Sequence, residues 1–345
     1  MELLLGLLII AIGAFCQSSC YVPINKIKSW SWESYWLVQG VFAWLLFPLL
    51  GALLAVPSGH SLFELFSADH SFNIWMTIFF GVLRGVGGLT FGLSMRYLGV
   101  ALGQSIALGT CAGLGTIMGP VLLNIFFPEL NALDKLTFAV IAGVIVTLIG
   151  IAIIGVAGSM KASALSDEEK KAAVKDFNFP KGLAIALLAG FMSGCFNVGL
   201  EFGKDINFGA ETPEMFKTLP ATLLVTLGGF LTNAIYCFYQ NSKNKTFSDY
   251  GKTDILANNL LFSALAGALW YSQFFGLSLG KGFLTSSETL TTLAFCILMA
   301  LNVVFSNVWG IILKEWKGCS SKTITVLVIG IIVLIISCFL PQLLG

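Results

Sequence analysis

Charge is what this sequence has least of. Of its 345 residues, 11% are Asp, Glu, Lys or Arg, against about 25% in an ordinary soluble domain. So little charge cannot cover a globular surface in water, which excludes a soluble fold. The few charges sum to +1 and form no basic stripe, so nucleic acid has no support as a partner. Histidine occurs only as His60 and His70, and the eight cysteines include no C-x-x-C pair. A zinc centre or a disulfide framework finds no support. Cys16 and Cys20 share a helix face at i, i+4 and read as small packing residues. No Walker A, nucleophile-elbow or H-E-x-x-H signature is recognised. An enzyme, an ATP-driven pump and a cofactor protein are therefore not expected, and catalytic and metal residues are none.

What is present is apolar: 57% of the chain. Runs between charged or Pro/Asn-rich breaks are long enough to cross a bilayer, which takes about 20 residues. Ten runs are expected, at roughly 3–22, 35–56, 72–94, 99–126, 136–157, 181–200, 218–240, 255–279, 285–312 and 323–343. The class is an all-α integral membrane protein. The opening MELLLGLLIIAIGAFC carries Glu2 where a signal peptide carries basic residues, so it reads as a retained first helix.

Fourteen lysines and arginines lie in the odd-numbered loops and four in the even-numbered ones. By the positive-inside rule the odd loops face the cytoplasm and both termini face outward. The longest polar stretch, 159–180, reads as a cytoplasmic linker, with Ser166 and Glu169 spaced as a capping box. It separates a first five-helix half, 1–158, from a second, 181–345. An odd number of spans per half makes the second half enter the membrane inverted, a transporter trait. GLLIIAIGAF (6–15) resembles GLAIALLAGF (182–191), and Leu98 to Gly103 resembles Phe275 to Gly280. The second pair is expected at matching turns on opposite faces. G-x-x-x-G spacings, among them Gly81/Gly85, Gly115/Gly119, Gly190/Gly194 and Gly276/Gly280, point to close helix packing.

Polar residues inside apolar spans are the candidate site. Arg84 lies mid-span in the third helix and Glu288 in the ninth, where charge is costly and usually faces a cavity. The pair is the candidate proton-coupling machinery. Glu201, with Lys204, reads as a surface charge cluster. Gln39, Gln104, Asn197 and Gln273, with Trp270 and Tyr271, supply uncharged donors, acceptors and aromatic faces. That mixture suits a small neutral sugar. Trp30, Trp32, Trp36, Trp309 and Trp316 fit the aromatic belt of a membrane interface.

KIKSWSWESYW (26–36), GLSMRYLGVALGQSIALG (92–109), ALWYSQFFGLSLG (268–280) and LKEWK (313–317) resemble the L-rhamnose–proton symporter family of the drug/metabolite transporter superfamily. The resemblance runs nearly end to end. It implies ten helices in two inverted halves, in the bacterial inner membrane, importing a 6-deoxyhexose with a proton. Trp32, Glu33, Arg96, Tyr97, Gly99, Tyr271, Gln273 and Glu315 fall within the matching strings. Glu288 stands where the family is expected to hold an acid. Arg84 and Glu201 depart from the pattern. The competing expectation is an exporter or exchanger of another small metabolite. A membrane sensor would bring a sizeable soluble domain, which this chain lacks.

Overall fold

A computed structural model describes residues 2–20, 22–66, 71–98, 100–164, 178–312 and 316–344. For residues 92, 95–96, 100–102, 104–105, 162, 179 and 341–344 the description covers the backbone alone. The helices are α1 (Glu2–Ser19), α2 (Trp32–Gly40), α3 (Phe47–Leu53), α4 (Ser71–Leu98), α5 (Val100–Phe126), α6 (Phe138–Ser163), α7 (Phe179–Phe202), α8 (Leu219–Asn244), α9 (Thr253–Phe283), α10 (Glu288–Ile312) and α11 (Ser321–Leu344). α2 and α3 form one span, joined by a wide π-turn over Val41–Leu46. Among the described residues, ten helical segments are long and apolar enough to cross a membrane. The expected ten-span all-α class is therefore the observed one. The linker's Ser166 and Glu169 lie outside the described residues.

Helices satisfy their own backbone groups, which a bilayer cannot do for them. What remains is to choose partners, and small residues do much of that. The chain forms two compact units, Met1–Gly85 with Phe202–Phe283 and Val86–Glu201 with Leu284–Gly345, so each unit draws on both halves of the sequence.

In the first unit α1 lies along α9. A Cβ on Gly13 would stand 2.9 Å from the Ser272 carbonyl, and one on Gly280 would stand 2.8 Å from that of Gly6. The Phe275–Gly280 stretch therefore sits inside α9, which continues to Phe283. Its partner stretch, Leu98 to Gly103, instead straddles the α4–α5 junction, so the expected match of two turns is corrected. Gly276 and Gly280 face α1, and that seam keeps the helix running. The start of α4 crosses α8 as closely: Cβ atoms on Gly81 and Gly228 would drive into the carbonyl oxygens of Val225 and Ile78. Thr232 Oγ1 donates to the Val82 carbonyl across the same crossing (3.0 Å).

In the second unit α7 lies along the end of α4, with Gly87 against Ser193 and Gly182 against Leu98. α5 meets α7 at Gly115 and Gly194, where Phe295 of α10 also packs. α6 and α11 pair through Gly150, Gly330 and a Thr147–Ser337 hydroxyl bond of 3.0 Å.

The ends of each unit are consistent. In the first, loop 54–66 meets loop 203–218: Thr212 Oγ1 donates to the Ala55 carbonyl (3.0 Å), over a plug of Leu62, Leu65, Ile206 and Leu224. The other end joins loop 22–31 to 245–252. In the second unit Lys161 lies over the Trp316 ring and Lys181 over Tyr97.

The α4–α8 crossing yields a prediction. Gly228→Ala forces backbone apart and is expected to cost about 1–3 kcal/mol, read as a lower thermal midpoint in detergent. Gly251, whose Cβ would meet nothing within 4 Å, is the control. An unchanged midpoint for Gly228→Ala would show that the crossing is loose.

Candidate functional site

The π-turn in the second span begins the site. Pro48 has no N–H to offer the Trp44 carbonyl four residues back, and its ring crowds that carbonyl. The chain widens instead, with the Phe47 N–H reaching the Phe42 carbonyl. Wide turns of this kind recur at functional sites. The turn presents Trp44, 3% exposed, whose ring edge packs where Gly40 has no side chain.

Trp44 sits in a chain of aromatic rings. Trp32 stacks on Trp36 at 5.3 Å, Trp36 meets Trp44 edge-on at 5.6 Å, and Trp44 meets Trp270 edge-on at 5.8 Å. Gly267 admits α9 to the turn, since a Cβ there would stand 2.8 Å from that of Phe42. Arg84 places its guanidinium 5.0 Å from the centre of the Trp270 ring, a cation–π distance. Its stem passes Gly229 of α8. Tyr271, next along α9, seats its hydroxyl against Gly51.

The polar accounting of this cluster is uneven. Trp36 Nε1 donates to Asn233 Oδ1 (3.0 Å), and Asn233 in turn donates to the Gly229 carbonyl (2.8 Å). Half-buried Trp36 is thus tied to α8. Gln39 Oε1, Trp44 Nε1 and the Tyr271 hydroxyl are buried with no hydrogen-bond partner among the described residues. Leaving such a group unpaired costs about 1–3 kcal/mol. Ser263 Oγ, on α9, is a further such group, and of them all Trp44 lies on the ring that carries the Arg84 cation, a place that something polar would complete.

Of the expected site residues, Gln39, Arg84, Trp270 and Tyr271 all belong to the first unit, and Arg84 and Trp270 are in direct contact. Gln273 is in the same unit and buried, but its Nε2 donates back to the Trp270 carbonyl (3.1 Å), in the seam with α1. Asn197 belongs to the second unit, where Nδ2 donates to the Gly115 carbonyl (2.8 Å) and Oδ1 has no partner among the described residues. The Gln104 and Arg96 side chains lie outside the described residues. Glu288 is the exposed first residue of α10, which Ser287 caps. Glu201 is paired with Lys135 at 3.8 Å, a different partner from Lys204. Gly276-Leu277-Ser278-Leu279-Gly280 spells G-x-S-x-G, yet Ser278 is mid-helix and bonded to Met215 and Thr218. A nucleophile elbow needs a strand-to-helix turn, so Ser278 is packing chemistry. Trp44 was missed by the sequence reading, and the signal available was Pro48 four residues on.

The Trp-Ser-Trp-Glu string, residues 30–33, proves to be an end clamp. Asp249 accepts from the Ser31 N–H (2.7 Å), Ser34 Oγ (2.9 Å) and Lys252 Nζ (2.6 Å), and its carbonyl accepts from Trp30 Nε1 (2.8 Å). Glu33 accepts from Asn244 and Thr246, each at 2.9 Å. Burial pushes the Asp249 carboxyl up, but the bonds from Lys252, Ser31 and Ser34 outweigh it and bring the pKa down to about 2 from 3.8.

Ten spans with a buried aromatic and uncharged-polar cluster define an integral membrane protein of the transport class. The family model for the L-rhamnose-proton symport protein matches residues 1–343. The L-rhamnose-proton symporters of Yersinia pestis (strain Pestoides F) and Yersinia pseudotuberculosis serotype O:1b (strain IP 31758) are each 31% identical over 343 residues, covering 97% of this chain and 96% of theirs. The chain belongs to the L-rhamnose-proton symport protein family.

The clamp makes its own prediction. Asp249→Ala is expected to cost about 3 kcal/mol, with Asp249→Asn losing less because it still accepts from Ser31 and Ser34. A depressed carboxyl pKa contributes stability above the unfolded value of 3.8 and loses it as pH falls through about 2. Thermal midpoints in detergent should therefore show no Asp249-dependent change between about pH 8 and pH 5. A slope across that range that vanishes in Asp249→Asn would contradict the assignment.

Proposed function

We propose that this chain imports L-rhamnose, or a related 6-deoxyhexose, together with protons across the bacterial inner membrane. The observation that carries the proposal is a set of buried groups in the first unit without partners among the described residues, Gln39 Oε1, Tyr271 OH and Trp44 Nε1, the last on a ring that packs on Trp270. A neutral sugar offers hydroxyls that both donate and accept, and a C–H face for an indole. The names of the two relatives supply the sugar and the coupling ion.

Gln39, Trp270, Tyr271 and Gln273 of the first unit, with Gln104 and Asn197, are the proposed sugar residues. Arg84 and Glu288 are the proposed proton-coupling residues. Glu288, at the exposed head of α10, is open to protons from water; Arg84 is a fixed positive charge against the ring that faces the sugar.

The architecture we infer is two inverted five-span halves, 1–158 and 181–345, joined by the linker 159–180. The pairing of spans supports it. The first span of each half packs on the third of the other, α1 on α9 and α7 on α4. The fourth spans pair with each other, as do the fifth: α5 with α10, α6 with α11. Such halves give two states of similar energy, open to opposite sides. The loop charges support a cytoplasmic location for the odd loops, with both termini outside.

The deciding experiment is uptake by proteoliposomes holding the purified chain, with a panel of sugars and an imposed pH gradient. L-Rhamnose is expected to accumulate only with the gradient, and its entry to carry protons inward. Uptake that ignores the gradient, or efflux of an unrelated metabolite, would favour an exporter or exchanger instead. Glu288→Gln is expected to lose accumulation, and wild-type accumulation by it would remove Glu288 from the mechanism. Arg84→Leu is expected to change affinity or coupling at an unchanged yield of folded protein; a loss of yield alone would make Arg84 structural.

A further inference from the structure

We infer that Trp44 is a specificity-determining residue, whose indole N–H donates to one hydroxyl of the sugar while Gln39 Oε1 accepts from a hydroxyl. The inference rests on the symport reading above and says which atoms read the substrate.

Three observations converge on Trp44. Its Nε1 is buried and unpartnered, whereas the indoles of Trp30 and Trp36 are both bonded, to the Asp249 carbonyl and to Asn233. Its ring edge is packed against Gly40, a position where any Cβ would stand 2.8 Å from the indole. That packing holds the ring while leaving the nitrogen, on the opposite edge, unused by the protein. And it occupies the π-turn, touching Trp270 edge-on at 5.8 Å, so it adjoins the ring on which Arg84 lies. A fixed donor in a dry site discriminates strongly, because a substrate lacking the matching hydroxyl leaves the donor unpaired. Gln39, on the same span and 3% exposed, supplies the complementary acceptor. An indole N–H can only donate and an amide oxygen can only accept. Hydroxyls satisfy both, which selects a polyol over a ligand with acceptors alone.

Trp44→Phe keeps a ring between Trp36 and Trp270 and removes the N–H. The purified full chain in proteoliposomes is assayed for gradient-driven L-rhamnose uptake in competition with its 2-, 3- and 4-deoxy analogues. In the unaltered protein, deleting the hydroxyl that Trp44 serves should weaken competition about ten-fold, the order of one hydrogen bond. In Trp44→Phe that penalty should vanish for that analogue alone, while the others keep theirs. Penalties unchanged in Trp44→Phe, or an equal loss for every sugar, would overturn the inference and leave the N–H to an ordered water or to packing. Should Trp44→Phe fail to fold, Gln39→Met repeats the cycle for the acceptor and carries the same two outcomes. An unaltered protein that takes up no deoxyhexose sinks the symport reading itself, a result distinct from rhamnose uptake without a Trp44 effect.

Discussion

Backbone meets backbone where α4 crosses α8. Gly81 sits on the Val225 carbonyl and Gly228 on that of Ile78, with no room for a methyl group on either side. Inside a bilayer there is no hydrophobic drive between helices, so closeness itself, through dispersion and a few hydrogen bonds, holds them. The crossing sets the depth and rotation of Arg84, whose stem passes Gly229 and whose guanidinium lies on Trp270. It also places Asn233 to hold Trp36, and Trp36 to hold Trp44. The aromatic chain of the first unit hangs from this one contact.

Polar chemistry is concentrated at the ends and then again in the middle, for different reasons. The end network around Asp249 is saturated: its carboxylate and Glu33 both find donors. A saturated network stiffens and contributes stability. The middle is not saturated. Gln39, Trp44 and Tyr271 leave buried groups unmet, which weakens the empty state and favours whatever supplies the missing partners. A transporter benefits from that imbalance, since the ligand's binding then biases one conformation over another.

Much of this was legible beforehand. Ten apolar runs became ten spans, because length and apolarity alone decide whether a segment can cross. Gln39, Arg84, Trp270 and Tyr271 stood out as polar or amphipathic groups in apolar company, and they do share a unit. Trp44 was hidden among ordinary membrane tryptophans. Its importance depends on a π-turn and on what its nitrogen fails to touch, neither of which is a property of residue type. The Trp-Ser-Trp-Glu string was legible as a family mark but not as a clamp, because its partners, Asn241 to Lys252, lie about 210 residues away.

The sequence by itself determined the solvent this protein lives in, the number of its crossings and the family it belongs to. Those follow from composition and local runs, which any conformation of the chain retains. The tertiary structure alone decided that Trp44, Arg84 and Trp270 meet, that Gln273 turns back to its own helix and that Glu288 stands exposed at a helix head. It also turned the second glycine repeat from a turn into helix interior. The physical reason is the same in each case: which side of a helix faces which neighbour is set by close contacts between distant segments, above all at glycines, and a linear pattern does not record them.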